Sequence, residues 1–118
     1  MLQLVVWLLL AALHVLPALA FVRPSLITTL YGVPDGSVVF VLLQHRAALF
    51  AVIVLVAVWA AFVPEVRRLA VVAAGFSMLS FLLLYAQAGA PPALKTIAIA
   101  DLLGLPLLAV AAYGAFAR

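Results

Sequence analysis

The sequence predicts an all-α integral membrane protein with four transmembrane helices in an antiparallel up-down bundle. Three observations lead there. Of the 118 residues, 71% are hydrophobic and 8% charged, and the mean hydropathy is +1.46. That leaves too little polar material to cover a soluble domain of this length. A hydrocarbon core of roughly 30 Å is crossed by about 20 apolar residues in helical form. Four segments reach that length: Leu2–Val22, Ser37–Phe62, Leu69–Ala88 and Thr96–Phe116. The stretches between them are short and rich in turn formers, so neighbouring spans run in opposite directions and residues 1–118 form a single transmembrane domain.

The first span ends in Pro17-Ala18-Leu19-Ala20, which resembles a signal-peptidase site. No Lys or Arg precedes the apolar run, as a secretory leader requires, so Leu2–Val22 reads as a true span. Arg23-Pro24 opens the first connection and Val33-Pro34-Asp35-Gly36 closes it with a turn signature. The second span carries Gln44-His45-Arg46 inside otherwise lipid-soluble sequence, and Val63-Pro64-Glu65-Val66-Arg67-Arg68 links it to the third. Ser77 and Ser80 lie in the third span, which Ala88-Gly89-Ala90-Pro91-Pro92 terminates. The fourth holds Asp101, and Pro106 five residues later frees the Leu102 carbonyl and predicts a kink. Ala73-x-x-x-Ser77 and Ala100-x-x-x-Gly104 follow the small-xxx-small pattern of close helix contacts.

Loop charge orients the chain. Arg67, Arg68 and Arg118 fall on the side of the termini, against Arg23 and Lys95 on the other, which predicts cytoplasmic termini in a bacterial inner membrane. Aromatic residues mark both interfaces: Trp59, Phe62 and Tyr113 at one, Phe21, Tyr31 and Tyr85 at the other.

Several chemistries are excluded. Without cysteine there is no disulfide, thiolate metal site or cysteine nucleophile. The net charge of +3 forms no basic patch with interleaved aromatics, so nucleic acid is not a partner. Ser77 and Ser80 lack a nucleophile elbow, and a single deep carboxylate cannot act as a glycosidase pair. An enzyme remains open only through a cofactor or a partner.

The most informative feature is a polar layer. At about 1.5 Å per residue, His14 lies roughly 12 Å from the Val22 end of its span and Arg46 roughly 13 Å from Ser37. Ser80 lies roughly 12 Å from Ala88, and Asp101 roughly 8 Å from Thr96. Each helix therefore places a polar side chain in one slab, although the helices alternate in direction. A charge near the bilayer centre costs about 2.5–3.5 kcal/mol on insertion scales. Arg46 and Asp101 are the only charges deep in the spans and have opposite sign, so an Arg46–Asp101 ion pair is expected, with His14, His45 and Ser80 around it. The competing reading has Arg46 snorkelling to the headgroups. Successive helical residues point about 100° apart, so Gln44, His45 and Arg46 cannot all face one small bundle interior. At least one must meet another chain, a ligand or a cavity.

Four roles fit such a layer. It can bind an amphipathic ligand or lipid-soluble cofactor such as a quinone, with Arg46, His45 and His14 at the polar head. It can dock the chain as an accessory subunit, in a homo-oligomer or a larger membrane complex. His14 and His45 can ligate a haem, or with Asp101 a metal ion. His14, His45 and Asp101 can also form a short proton or ion relay in an oligomer.

A four-span chain of this size, with His14 in the first helix and Gln44-His45-Arg46-Ala47 early in the second, resembles the small bacterial DoxX-like membrane proteins. Some members of that group are described as membrane subunits of quinone-linked oxidoreductases. The resemblance implies a redox-accessory or ligand-binding role and transfers no catalytic residue.

Overall fold

The computed structural model describes residues 1–117, so the orientation charge assigned to Arg118 lies outside the described residues. Five helices follow one another: α1 (Leu2–Leu19), α2 (Ser25–Tyr31), α3 (Val38–Phe62), α4 (Arg67–Gln87) and α5 (Lys95–Phe116). Single 3-10 turns, Pro64–Val66 and Pro92–Leu94, lead into α4 and α5. No strand occurs among the described residues. The chain is an all-α membrane protein: α1, α3, α4 and α5 are long and apolar enough to cross a bilayer.

Two boundaries differ from the expected ones for physical reasons. The first span closes at Leu19 rather than Val22, just after Pro17. The amides of Ala20, Phe21 and Val22 bond back three residues instead of four, tightening the chain out of the helix. The first connection, expected to be a loop, contains α2. Pro24 stands at its N-cap, and Gly32 ends it in the left-handed region at φ 68°, its N–H reaching the Thr28 carbonyl at 2.8 Å. Ile27 and Tyr31, one turn apart, are the face α2 buries.

The long helices are tied at their ends. Ser37 caps α3, its Oγ accepting the Phe40 N–H at 3.0 Å. At the other end Arg67 donates from Nε to the Ala60 carbonyl at 2.7 Å and from Nη2 to that of Ala61 at 3.1 Å. Arg68 does the same for α5, donating to the Ala115 carbonyl at 3.0 Å. A cation at a helix C-terminus satisfies orphan carbonyls and complements the macrodipole. Arg67 and Arg68 thus close two of the helices.

The four long helices form a ring in the order α1, α3, α4, α5, so α3 and α5 stand on one diagonal. Contacts run in opposite chain order: Gln3, early in α1, donates to the Val110 carbonyl late in α5 at 3.1 Å, while Gly75 of α4 lies opposite Leu108 of α5. Each helix buries one stripe, shown on α5 by Ile97, Asp101, Gly104, Leu108 and Ala111 at helical spacing. Leucine, valine and phenylalanine cover the outside, with Phe76, Leu69 and Leu103 strongly exposed, as lipid contact requires.

The core is divided. One apolar cluster, around Trp7, Leu10, Ala57, Ala74, Met78 and Ala111, fills the half nearer the termini. A second, around Ile27, Tyr31, Phe40, Ala47 and Ile97, fills the end under α2. His14 and Asp101, the buried polar residues, belong to neither and lie between them along α1 and α5.

Gly104 lets α1, α4 and α5 approach. A Cβ there would stand 2.6 Å from Met78 Cε and 3.1 Å from Leu13 Cδ1. The Met78 tip can swing away from one methyl, whereas a branched side chain also displaces Leu13. Gly104→Val is expected to lower stability by about 1–3 kcal/mol, the usual cost of overpacking, with Gly104→Ala much milder. Thermal unfolding of both variants in detergent micelles checks this ordering.

Candidate functional site

Arg46 projects from α3, and Phe50, one turn on, shares its face. The guanidinium carbon lies 4.7 Å from the Phe50 ring centroid and 4.8 Å from that of Phe81 on α4. Nη1 donates to the Tyr31 hydroxyl at 3.1 Å, and the Tyr31 ring centroid is 6.0 Å away. The charge is therefore held by three aromatic side chains from three helices. A cation over aromatic faces gains about 2 kcal/mol or more once desolvated.

The expected Arg46–Asp101 ion pair is absent: Arg46 engages Tyr31 and the two phenylalanine rings, and no salt bridge forms among the described residues. The reason is the ring order. Arg46 and Asp101 sit on diagonal helices, and Phe50 lies beside both, under the guanidinium and in the wall of the cavity that Asp101 lines. Nor does Arg46 snorkel freely, because Tyr31 on the short helix intercepts it.

His14 and Asp101 come together instead. Both are buried, at 2% and 6% exposure, and both line a cavity of about 50 Å³ together with Leu13, Leu30, Phe50, Thr96 and Ala100. His14 Nδ1 lies 2.8 Å from the Leu10 carbonyl. A carbonyl only accepts, so Nδ1 carries a hydrogen and donates it. Nε2 is buried and has no partner. The His14 ring packs against Phe50 with centroids 5.9 Å apart.

The other polar residues divide as the angular spacing requires. Gln44 is half-buried and donates to the Phe21 carbonyl at 3.2 Å, fastening the turn that follows α1 to α3. His45 is exposed on the outer face of α3. Ser80 donates to the Ser77 carbonyl within α4 at 3.2 Å, and both serines line a groove with Arg46. That groove runs between α3 and α4, holds about 370 Å³, and is walled by Leu49, Ile53, Phe81 and Leu84. His14 and His45 face different surroundings, so the bis-histidine arrangement is not assembled. No group of three His, Asp or Glu side chains suited to a metal stands together among the described residues.

The layer is thus two compartments, a small His14–Asp101 cavity and a larger Arg46–Ser80 groove, and Phe50 lines both. Sequence reasoning missed Phe50, Phe81 and Tyr31. Phe50 was within reach, since it stands four residues after Arg46. Phe81 and Tyr31 carry no such signal, because their roles depend on how α4 and α2 meet α3. Comparison with family models, curated proteins and solved structures returns no match.

Tyr31 lies outside the four spans. Burial pushes its hydroxyl above the ordinary value of 10.0, while the Arg46 charge and hydrogen bond pull the other way. A group whose folded pKa is raised contributes stability that is complete below its unfolded pKa and lost as pH rises through the folded one. Alkaline destabilisation setting in above about pH 10 is therefore expected, and Tyr31→Phe should reduce it. The losses from Tyr31→Phe and Arg46→Ala should also fail to add, with a coupling of about 0.5–3 kcal/mol in a double-mutant cycle.

Proposed function

We propose that this chain is a small ligand-binding subunit of the membrane, taking an amphipathic, oxygen-headed molecule of the quinone class in the groove between α3 and α4. The observation that carries the reading is Arg46. Guanidinium has five N–H donors, and one is committed, to Tyr31. The others stand at the polar end of a groove whose walls are otherwise apolar apart from Ser77 and Ser80. Its volume of about 370 Å³ falls within the ordinary range for small-molecule sites, about 300–1,000 Å³. A carbonyl or acidic head accepts from Arg46, and an apolar body lies along Leu49, Ile53 and Leu84. The resemblance to DoxX-like proteins through His14 and Gln44-His45-Arg46-Ala47 favours the same role.

A second observation favours assembly with other chains. His45 is exposed on α3 about two turns below Ser37, flanked by the exposed Val41, Leu42 and Leu49, and makes no hydrogen bond among the described residues. An imidazole facing hydrocarbon is costly, and a neighbouring subunit, a second copy or a larger complex, would satisfy it. We propose that both termini lie in the cytoplasm of a bacterial inner membrane, from Arg67, Arg68 and Arg118 on that side against Arg23 and Lys95 on the other.

Native mass spectrometry of the protein released from mild detergent tests both points. Wild type is expected to carry extra mass matching a quinone or lipid, and Arg46→Gln to lose most of it while keeping its helical content. Equal retention by Arg46→Gln would sink the groove reading. A bare monomer for wild type would sink the assembly reading as well.

A further inference from the structure

The cavity behind Phe50 poses a chemical problem that the groove does not solve. Its polar lining is the His14 imidazole, the Asp101 carboxyl and Thr96 at its mouth. With Nδ1 donating to the Leu10 carbonyl, a neutral His14 keeps a lone pair on Nε2, which is buried and has no partner among the described residues. An ionised Asp101 is also an acceptor only. Against these two acceptors the lining of the space of about 50 Å³ offers as donor the hydroxyl of Thr96, which is itself exposed. An unsatisfied buried polar group costs about 1–3 kcal/mol, and an uncompensated buried carboxylate more.

We propose that His14 and Asp101 form a proton-binding site, holding one proton between Nε2 and the carboxyl through one bridging water. The proton comes from the aqueous phase and remains on the pair, converting a carboxylate and a neutral imidazole into a site with no net charge. No other covalent bond changes. The cavity is large enough for a bridging water, which needs about 10–15 Å³ of such volume and polar partners on two sides.

The surroundings favour a single proton. Across Phe50, α3 presents Arg46, whose positive charge opposes a second proton on the pair. From α2 the cavity meets Leu30, and the neighbouring Tyr31 hydroxyl is occupied by Arg46. No titratable group of α4 lines it, and Lys95 at the start of α5 is exposed. Among the described residues no other ionisable side chain lines the cavity, and Arg46 acts on the pair through its field. Occupation of the groove is not required, so this site stands or falls separately from the quinone-class reading.

The test uses the full chain in lipid nanodiscs at neutral pH. Infrared spectroscopy reads the carboxylic-acid C=O stretch of Asp101, assigned by its loss in Asp101→Asn. Nitrogen-15 NMR of histidine reads the tautomer and charge of His14 without any substitution. One proton on the pair is expected: either protonated Asp101 beside neutral, Nδ1–H His14, or ionised Asp101 beside imidazolium. In His14→Gln the Asp101 titration midpoint should move measurably. Ionised Asp101 together with neutral His14 would overturn the proposal, as would an Asp101 titration unchanged by His14→Gln in a variant that keeps its helical circular dichroism.

Discussion

The Arg46 guanidinium, lying over the faces of Phe50 and Phe81 at 4.7 and 4.8 Å, sets the arrangement of everything around it. A charge inside a membrane span costs several kcal/mol unless it finds compensation. Here compensation comes from ring quadrupoles and the Tyr31 hydroxyl rather than from a carboxylate. That choice commits side chains from α2, α3 and α4 to one group, so the short helix is not an ornament of the loop but the lid over the charged layer. It also leaves Asp101 without a cationic contact, and the carboxyl shares a small cavity with His14 instead.

Phe50 gives the layer its division of labour. It touches His14 on one side and carries Arg46 on the other, and it walls both the small cavity and the groove. The small cavity that holds His14 and Asp101 and the amphipathic groove thereby share one ring as a wall. Nearer the termini the core turns to Trp7, Leu10, Met78 and alanines, with no titratable group among the clustered residues. A proton held by His14 and Asp101 thus has no continuing polar route through the bundle of one chain, which sets binding apart from conduction in the monomer. Close approach in that half depends on alanine and on Gly104, where the stripes of α1, α4 and α5 converge.

Much of this follows from one-dimensional information. The four spans, the excess of apolar residues and the presence of a polar slab all depend on local composition and on the helical rise, both readable residue by residue. So does the rule that Gln44, His45 and Arg46 must diverge: Gln44 turns to the Phe21 carbonyl, His45 outward and Arg46 into the groove. Even α2 left a trace, in Pro24, Gly32 and the spacing of Ile27 and Tyr31, although its seven residues fall below the length at which periodicity stands out.

Partner choice inside the slab was beyond that reach. Opposite charge at similar depth made Arg46 and Asp101 natural partners on paper, but depth is a single coordinate and says nothing of position around the ring. Only the order α1, α3, α4, α5 places those residues on a diagonal with Phe50 beside both, and only the docking of α2 brings Tyr31 to the guanidinium. By itself the sequence determined that polar groups had to be gathered at one level of an apolar bundle, because hydrocarbon will not solvate them. Which groups face one another was decided by tertiary packing, because contacts across a bundle depend on the angles and neighbours of whole helices, and no local pattern encodes those.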